Sequence, residues 1–289
     1  MLLTMSLFIQ LGLLLNVLIY TSSFKLKKTT TIMYKSSSLS LYMTSSPLWI
    51  SSIIKENKNE ATGLKSIDVE VSDEIAKSFT IPGQYVQMKL NDNKPGFYAI
   101  ASPPDSRNIL SFLIKETDNN AWISGSKAGS AVDVSLAQGK GFNYAEYFEK
   151  YKFDYPATNI LLMACGSGIA PIASAIESNT LNLLSTAYNS LQSRKAKLYI
   201  GARTESHLPF KSKYQEWESK GVTVIPVLSQ PSSSWTGKKG YIQDALKEDK
   251  VNVPRNTGAL LCGFRGMTDS VKETLLEAGV FEGRILMNF

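Results

Sequence analysis

Residues 159–176 read Asn-Ile-Leu-Leu-Met-Ala-Cys-Gly-Ser-Gly-Ile-Ala-Pro-Ile-Ala-Ser-Ala-Ile, and they limit the fold more sharply than any other stretch. The apolar run 160–164 has the unbroken hydrophobicity of a parallel strand buried on both faces. Gly166, Ser167 and Gly168 form a tight turn. A helix of small residues follows, with Ile169 and Pro171 in its first turn, where a missing N–H costs little. Strand, glycine turn and helix start leave bare N–H groups and the positive end of a helix dipole facing one point, an anion site suited to phosphate. The spacing is G-x-G-x-x-P, not the G-x-G-x-x-G of the dinucleotide fingerprint. Taken alone, it is also compatible with the strand-to-helix turn of any α/β domain.

A chain of 289 residues has room for about two domains. Its formal charge of +6 sits at one end. Residues 1–55 hold five lysines and no acid, leaving 26 basic against 25 acidic residues beyond them. That balance excludes the basic footprint of a nucleic-acid binder. Cys165 and Cys262 each end an apolar run and read as reduced thiols rather than a disulfide framework. Two cysteines are too few for a four-thiolate iron–sulfur cluster. A single histidine, His207, is too few for most histidine-based metal or triad chemistry. No metal site is expected.

Residues 2–20 are apolar enough for a membrane helix, but Thr4, Ser6, Gln10 and Asn16 interrupt them and their position suits a signal peptide. Residues 21–46 are rich in Ser, Thr and Lys and lack acids, which is transit-peptide composition. The junction Ser22-Ser23-Phe24 resembles that in the two-part targeting sequences of algae with secondary plastids. A presequence over residues 1–47 and a plastid (chloroplast) destination are therefore expected. A membrane anchor through residues 2–20 is the alternative.

Between 48 and 142 the pattern is short and strand-like, at 49–55, 64–71, 84–90, 96–102, 109–116 and 131–136, with Gly, Pro, Asn and Asp between the runs. Six such strands predict a small closed antiparallel barrel over 48–153. After 154, strands at 160–164, 197–201, 222–228, 259–262 and 285–288 alternate with helices near 170–178, 182–192, 210–220, 242–247 and 269–278. That alternation predicts a doubly wound parallel sheet over 154–289.

Five segments appear in order: Pro82-Gly83-Gln84-Tyr85-Val86, Phe97-Tyr98-Ala99-Ile100-Ala101-Ser102, Gly166-Ser167-Gly168-Ile169-Ala170-Pro171, Gly201-Ala202-Arg203 and Cys262-Gly263-Phe264-Arg265-Gly266-Met267. Together they resemble the ferredoxin–NADP reductase superfamily over about residues 48–289, closest to its plant branch of plastid FAD/NAD(P)-binding oxidoreductases. The resemblance implies FAD on the barrel and NADP or NAD on the α/β domain.

The family's flavin motif, R-x-Y-S or R-x-Y-T, falls on Gly96-Phe97-Tyr98-Ala99. Tyr98 would lie flat against the flavin ring. Gly96 replaces the arginine that pairs with the pyrophosphate, a contact worth roughly 1.5–3 kcal/mol. Ala99 replaces a hydroxyl near the flavin's reactive nitrogen. The family's G-x-x-S segment falls on Ala121-Trp122-Ile123-Ser124, and Lys115, after Ile114, matches a family lysine near the phosphates. On the nucleotide side the resemblance implies Arg203, Ser229, Lys239 and Tyr241 around the adenosine, with Lys238 adding charge and Gln230 replacing an arginine, a slight lean towards NADPH. Cys262, Gly263 and Met267 would border the nicotinamide, and Phe289 resembles the terminal aromatic that covers the flavin.

Hydride transfer between cofactors needs position and dryness rather than a protein acid–base pair. The implied activity is hydride transfer between NAD(P)H and bound FAD, with Tyr98 and Cys262 at the reacting centre. Electrons then pass to an external acceptor: ferredoxin, a quinone or another small molecule. The alternative, motivated by Gly96 and Ala99, is a low-turnover nucleotide-binding regulatory or electron-transfer subunit.

Overall fold

Alternating apolar and polar residues in the first half build six strands: β1 (Trp49–Ala61), β2 (Leu64–Glu70), β3 (Tyr85–Lys89), β4 (Gly96–Ala99), β5 (Ile109–Lys115) and β6 (Ala131–Ser135). The computed structural model describes residues 47–91, 93–144, 147–148, 156–183 and 194–288. The expected presequence up to residue 46, most of the helix expected over 182–192, the expected boundary at 153/154 and Phe289 lie outside them.

The first sheet runs β4-β3-β6-β1-β2-β5, with every described pairing antiparallel. Ile100, just after β4, bridges to Phe112 on β5, and the Ala101 N–H donates to the Ser111 carbonyl at 2.8 Å. These contacts close the sheet into a barrel. Ile54, Ile67, Val69, Val86, Met88, Leu110, Phe112, Val132 and Val134 point inward as one apolar cluster. Each such side chain contributes about 1.5–3 kcal/mol on leaving water. A short helix, α1 (Asp73–Ser78), adds Ile75 to that core. The strand pattern hides it because six residues are too few to show helical periodicity.

The second sheet contains β7 (Asn159–Cys165), β8 (Lys195–Ala202), β9 (Val222–Leu228), β10 (Lys238–Lys239), β11 (Thr257–Cys262) and β12 (Ile285–Met287). Its order is β10-β9-β8-β7-β11-β12, with the described pairings parallel. The chain moves outward from β7 to β10 and then returns to the other side of β7. The switch point therefore lies between the carboxyl ends of β7 and β11, where open α/β sheets bind ligands. The two-residue β10 was not expected, being too short to carry a pattern.

Helix α3 (Ile169–Glu177) follows β7 through a 3-10 turn at Gly166–Gly168, after α2 (Ala121–Ser124) in the barrel. Residues 169–176 are all buried. Ile169, Ala170 and Ala173 share a core cluster with Leu64, Ala101 and Leu113 of the barrel, so α3 faces both lobes. Ser174 Oγ donates to the Ser102 carbonyl across the junction at 2.7 Å. The later helices are α4 (Tyr214–Ser219), α5 (Ile242–Asp249) and α6 (Arg265–Glu277). Helix α4 is shorter than the expected 210–220 because a 3-10 turn, Lys211–Lys213, precedes it; α6 begins four residues earlier than expected.

Candidate functional site

A cleft of about 980 Å³ opens between the two sheets. Its barrel wall is Phe97, Tyr98 and Ala99 on β4, Ile114 and Lys115 at the end of β5, and the hairpin tip between β1 and β2. Its other wall is the carboxyl edge of the parallel sheet, with Gly166, Ser167, Gly168, Arg203, Ser229, Tyr241, Cys262, Gly263 and Met267. Residues more than a hundred positions apart in sequence meet there because both sheets present strand ends to one gap.

Gly166 takes a left-handed turn with φ +57°. Gly168 is required by space: a Cβ there would overlap the Cys262 carbonyl. The two strand ends at the switch point thus pack backbone to backbone, with the helix start of α3 beside them. Ile169 and Pro171 do not line the cleft; both are buried in the first turn of α3. They shape the turn and do not touch its ligand.

Cys262 is 3% exposed, and burial pushes its thiol up to about 12, with the Asn288 amide acting in the opposite direction. Burial also raises the Cys165 thiol, partly opposed by the nearby Lys115 ammonium. Neither thiol ionises at neutral pH, so neither acts as a nucleophile. Ala164, not Cys165, pairs with Cys262, and the two cysteines pack in different core clusters; both are free.

Tyr98 is half-buried, and burial pushes its hydroxyl up to about 12. Its ring meets Trp122 edge to face, with centroids 6.5 Å apart. The ring folds back over Gly96, so that any side chain at 96 would overlap its hydroxyl. Tyr98 fills the space where the family's arginine would start. Lys115 is the one basic side chain among the described cleft residues of the barrel.

Trp122, Ile123 and Ser124 lie off this cleft. Ile123 is buried in the barrel core, and Trp122 and Ile123 line a separate pocket of about 440 Å³. The Ser124 hydroxyl is turned inward, donating to the Asn120 carbonyl at 3.2 Å. Thr117 and Asn120, at the start of this helical segment, line the cleft instead. The cleft-facing part of the segment therefore lies a turn before the expected one. Its signal was Thr117-Asp118-Asn119-Asn120, a run of helix-starting residues.

Lys238 does not offer charge to a ligand: Glu248 at 2.8 Å and Asp249 at 2.6 Å hold its ammonium and raise its pKa. Lys239 is exposed and off the cleft wall. Arg203 lines the cleft beside Ser229, with Phe264 of the last motif segment and with His207 and Gln243, which no sequence motif marked. Phe97 and Phe264, 64% and 60% exposed, stand at the cleft as bare aromatics.

A closed barrel and a doubly wound sheet sharing a cleft at the switch point define a two-lobe dinucleotide oxidoreductase. Residues 162–273 match the oxidoreductase NAD-binding domain family. The chain is 30% identical over 233 residues to fruit protein pKIWI502 of Actinidia deliciosa, covering 76% of this chain and 70% of the relative. It is 24% identical to the xylene/toluene monooxygenase electron transfer component XylA of Pseudomonas putida, covering 81% of this chain and 63% of that one. A ferredoxin NADP+ reductase from Neisseria gonorrhoeae with bound FAD and NADP has the same fold, with TM-score 0.67, 18% identity, and coverage of 83% of this chain and 97% of that one. The chain belongs to the ferredoxin–NADP reductase superfamily of FAD-dependent NAD(P)H oxidoreductases.

Proposed function

We propose that the protein oxidises NAD(P)H through FAD held on the barrel and delivers the electrons to an external acceptor. One observation carries this reading: the flavin-motif segment on β4 and the carboxyl ends of β7 and β11 line the same cleft. The residues fit both groups. Tyr98 offers a half-buried aromatic ring, Lys115 a cation on the barrel wall, and Gly166–Gly168 a backbone turn on the cleft wall with open space at Gly166. Flavin, when bound, supplies a two-electron acceptor for hydride.

The chain's own part is positioning. The N–H groups of Gly166, Ser167 and Gly168, beside the start of α3, would hold the dinucleotide's phosphates. Cys262, kept neutral by burial, and Met267 give a small apolar floor on which the nicotinamide is oriented without a competing nucleophile. Tyr98 presents a flat face to the flavin ring. No side chain exchanges a proton in the hydride step.

Arg203 carries a modest preference for NADPH, since a guanidinium on the adenosine side binds a 2′-phosphate better than the engaged Lys238 or the outlying Lys239. Steady-state kinetics with a dye acceptor test this. Arg203→Ala raises the KM for NADPH about tenfold and that for NADH far less; equal changes, or a wild type preferring NADH, contradict it. The acceptor is a small oxidant, a quinone or a one-electron protein such as ferredoxin. A regulatory subunit of low turnover is the competing reading. Its motive is Gly96, which leaves Lys115 as the cleft's barrel cation, and a wild type that holds FAD without dye reduction favours it.

Plastid delivery belongs to the same proposal, supported by the acid-free, Ser/Thr-rich N-terminus. Among the described residues no helix is long and apolar enough to cross a membrane. N-terminal sequencing of the native protein should begin between Phe24 and Pro47; a start at Met1 favours the membrane anchor.

A further inference from the structure

The β1–β2 hairpin does more than take part in the barrel sheet. Its pairing register slips between Asn59 and Ala61, because Asn59 opposes Lys65 while Ala61 opposes Leu64. Glu60 is the extra residue, and a bulge of this kind re-aims a side chain out of its strand. The Glu60 carboxylate crosses to the α/β lobe and accepts the Phe210 backbone N–H at 2.7 Å. Phe210 is a non-glycine residue in the left-handed region, φ +55°, so its backbone needs outside support. Two residues past the bulge, the Thr62 N–H donates to the Ser206 carbonyl at 2.9 Å. Leu64 is buried in the same cluster as Leu208, Phe210 and Trp217.

These contacts bracket residues 206–210, the turn that carries His207 to the cleft wall shortly after Arg203 and Thr204, which follow the end of β8. On its other side the hairpin tip is tied to the barrel: the Glu116 N–H donates to the Gly63 carbonyl at 3.0 Å, next to Lys115. One hairpin thus touches the nucleotide wall and the flavin wall together.

We propose that Glu60 is a positioning residue for the nicotinamide nucleotide, its bulge-aimed carboxylate holding the 203–210 wall of the cleft in register with the barrel. The inference rests on the proposed NAD(P)H function. Because the carboxylate is a charged acceptor for a single N–H, a neutral acceptor of equal length keeps most of the effect, whereas loss of the acceptor does not.

The test measures NADP+ affinity by calorimetry, amide exchange at Phe210, and retained FAD in wild type, Glu60→Ala and Glu60→Gln. Glu60→Ala should expose the Phe210 amide to exchange and weaken NADP+ binding about tenfold, the scale of one charge-assisted hydrogen bond. FAD content should stay at the wild-type level, and Glu60→Gln should lie within about threefold of wild type. Unchanged NADP+ affinity in Glu60→Ala overturns the proposal. So does a Gln variant as defective as the Ala variant, or parallel loss of FAD and NADP+, the mark of a general structural role. If Glu60→Ala does not fold, Glu60→Asp, which shortens the reach by one methylene, replaces it with the same criteria. A wild type that fails to bind NADP+ contradicts the proposed function itself, whereas a binding wild type with an indifferent Glu60 contradicts this inference alone.

Discussion

Gly168 at the cleft and Gly96 next to it are glycine for different reasons, and substitution separates them. At 168 a methyl group meets the Cys262 carbonyl, part of a backbone that cannot turn away. Gly168→Ala should cost about 1–3 kcal/mol by overpacking and abolish tight nucleotide binding. At 96 a methyl meets only the far end of the Tyr98 ring, which can rotate. Gly96→Ala should fold with near-wild-type stability and shift the fluorescence of bound flavin as Tyr98 moves. Thermal melts and emission spectra of the pair check both outcomes. The Cys262 thiol gives a pH signature. Its pKa is raised by burial from the ordinary value of 9.0 to about 12, so between these values the unfolded chain has lost a proton that the folded chain keeps. Stability contributed by the neutral thiol is complete below pH 9 and falls as pH rises towards 12, by about 1.4 kcal/mol per unit for one group. Cys262→Ala should flatten the decline of the melting temperature above pH 9; an unchanged slope would place the alkaline sensitivity elsewhere, with Tyr98 a contributor only above pH 10.

Helix α3 joins the lobes, and its sequence shows why. Eight consecutive buried residues, four of them Ala or Ser, let strand β7 and the barrel approach it from two sides. Ser174→Ala removes a fully buried hydroxyl from the Ser102 carbonyl and should cost about 1–2 kcal/mol, lowering the melting temperature by a few degrees. No change would mean that Ser102 finds another donor. The elements themselves were legible in sequence wherever burial imposed a pattern: buried residues alternate in β3 and along Ile67–Val69 of β2 and Val132–Val134 of β6, and β7 from Ile160 and β11 from Gly258 are apolar runs. Short elements were not, since α1 and β10 have too few residues to repeat a pattern. Half of the cleft could likewise be read from the glycine turn and the β4 segment, because backbone geometry there demands particular residues. The reach of the β1–β2 hairpin was hidden. A glutamate in a strand, as Glu60 is, reads in sequence as a solvated charge until the bulge and the opposite lobe are both in view. Lys238 misled in the other direction, because Glu248 and Asp249, ten and eleven residues later, take up its charge once α5 folds beside β10.

Across the whole molecule, two sheets of opposite kind meet at one cleft, and every residue given a role faces it or braces a residue that does. The barrel wall carries a half-buried tyrosine and a single lysine; the sheet wall carries the glycine turn, an arginine and a buried neutral thiol. On the proposed function flavin lies on the barrel side and nicotinamide on the sheet side, which predicts that electrons enter as hydride and leave to a separate acceptor. Loss of the family arginine at 96 predicts weaker retention of FAD, so purified protein should gain flavin when FAD is added back. The most direct test is anaerobic titration of FAD-reconstituted protein with NADPH while the visible flavin bands are followed. Bleaching of those bands near one equivalent of NADPH, reversed by admission of a dye acceptor, is the predicted result. Protein that takes up no flavin, or whose flavin bands persist under excess NADPH and excess NADH, would contradict it.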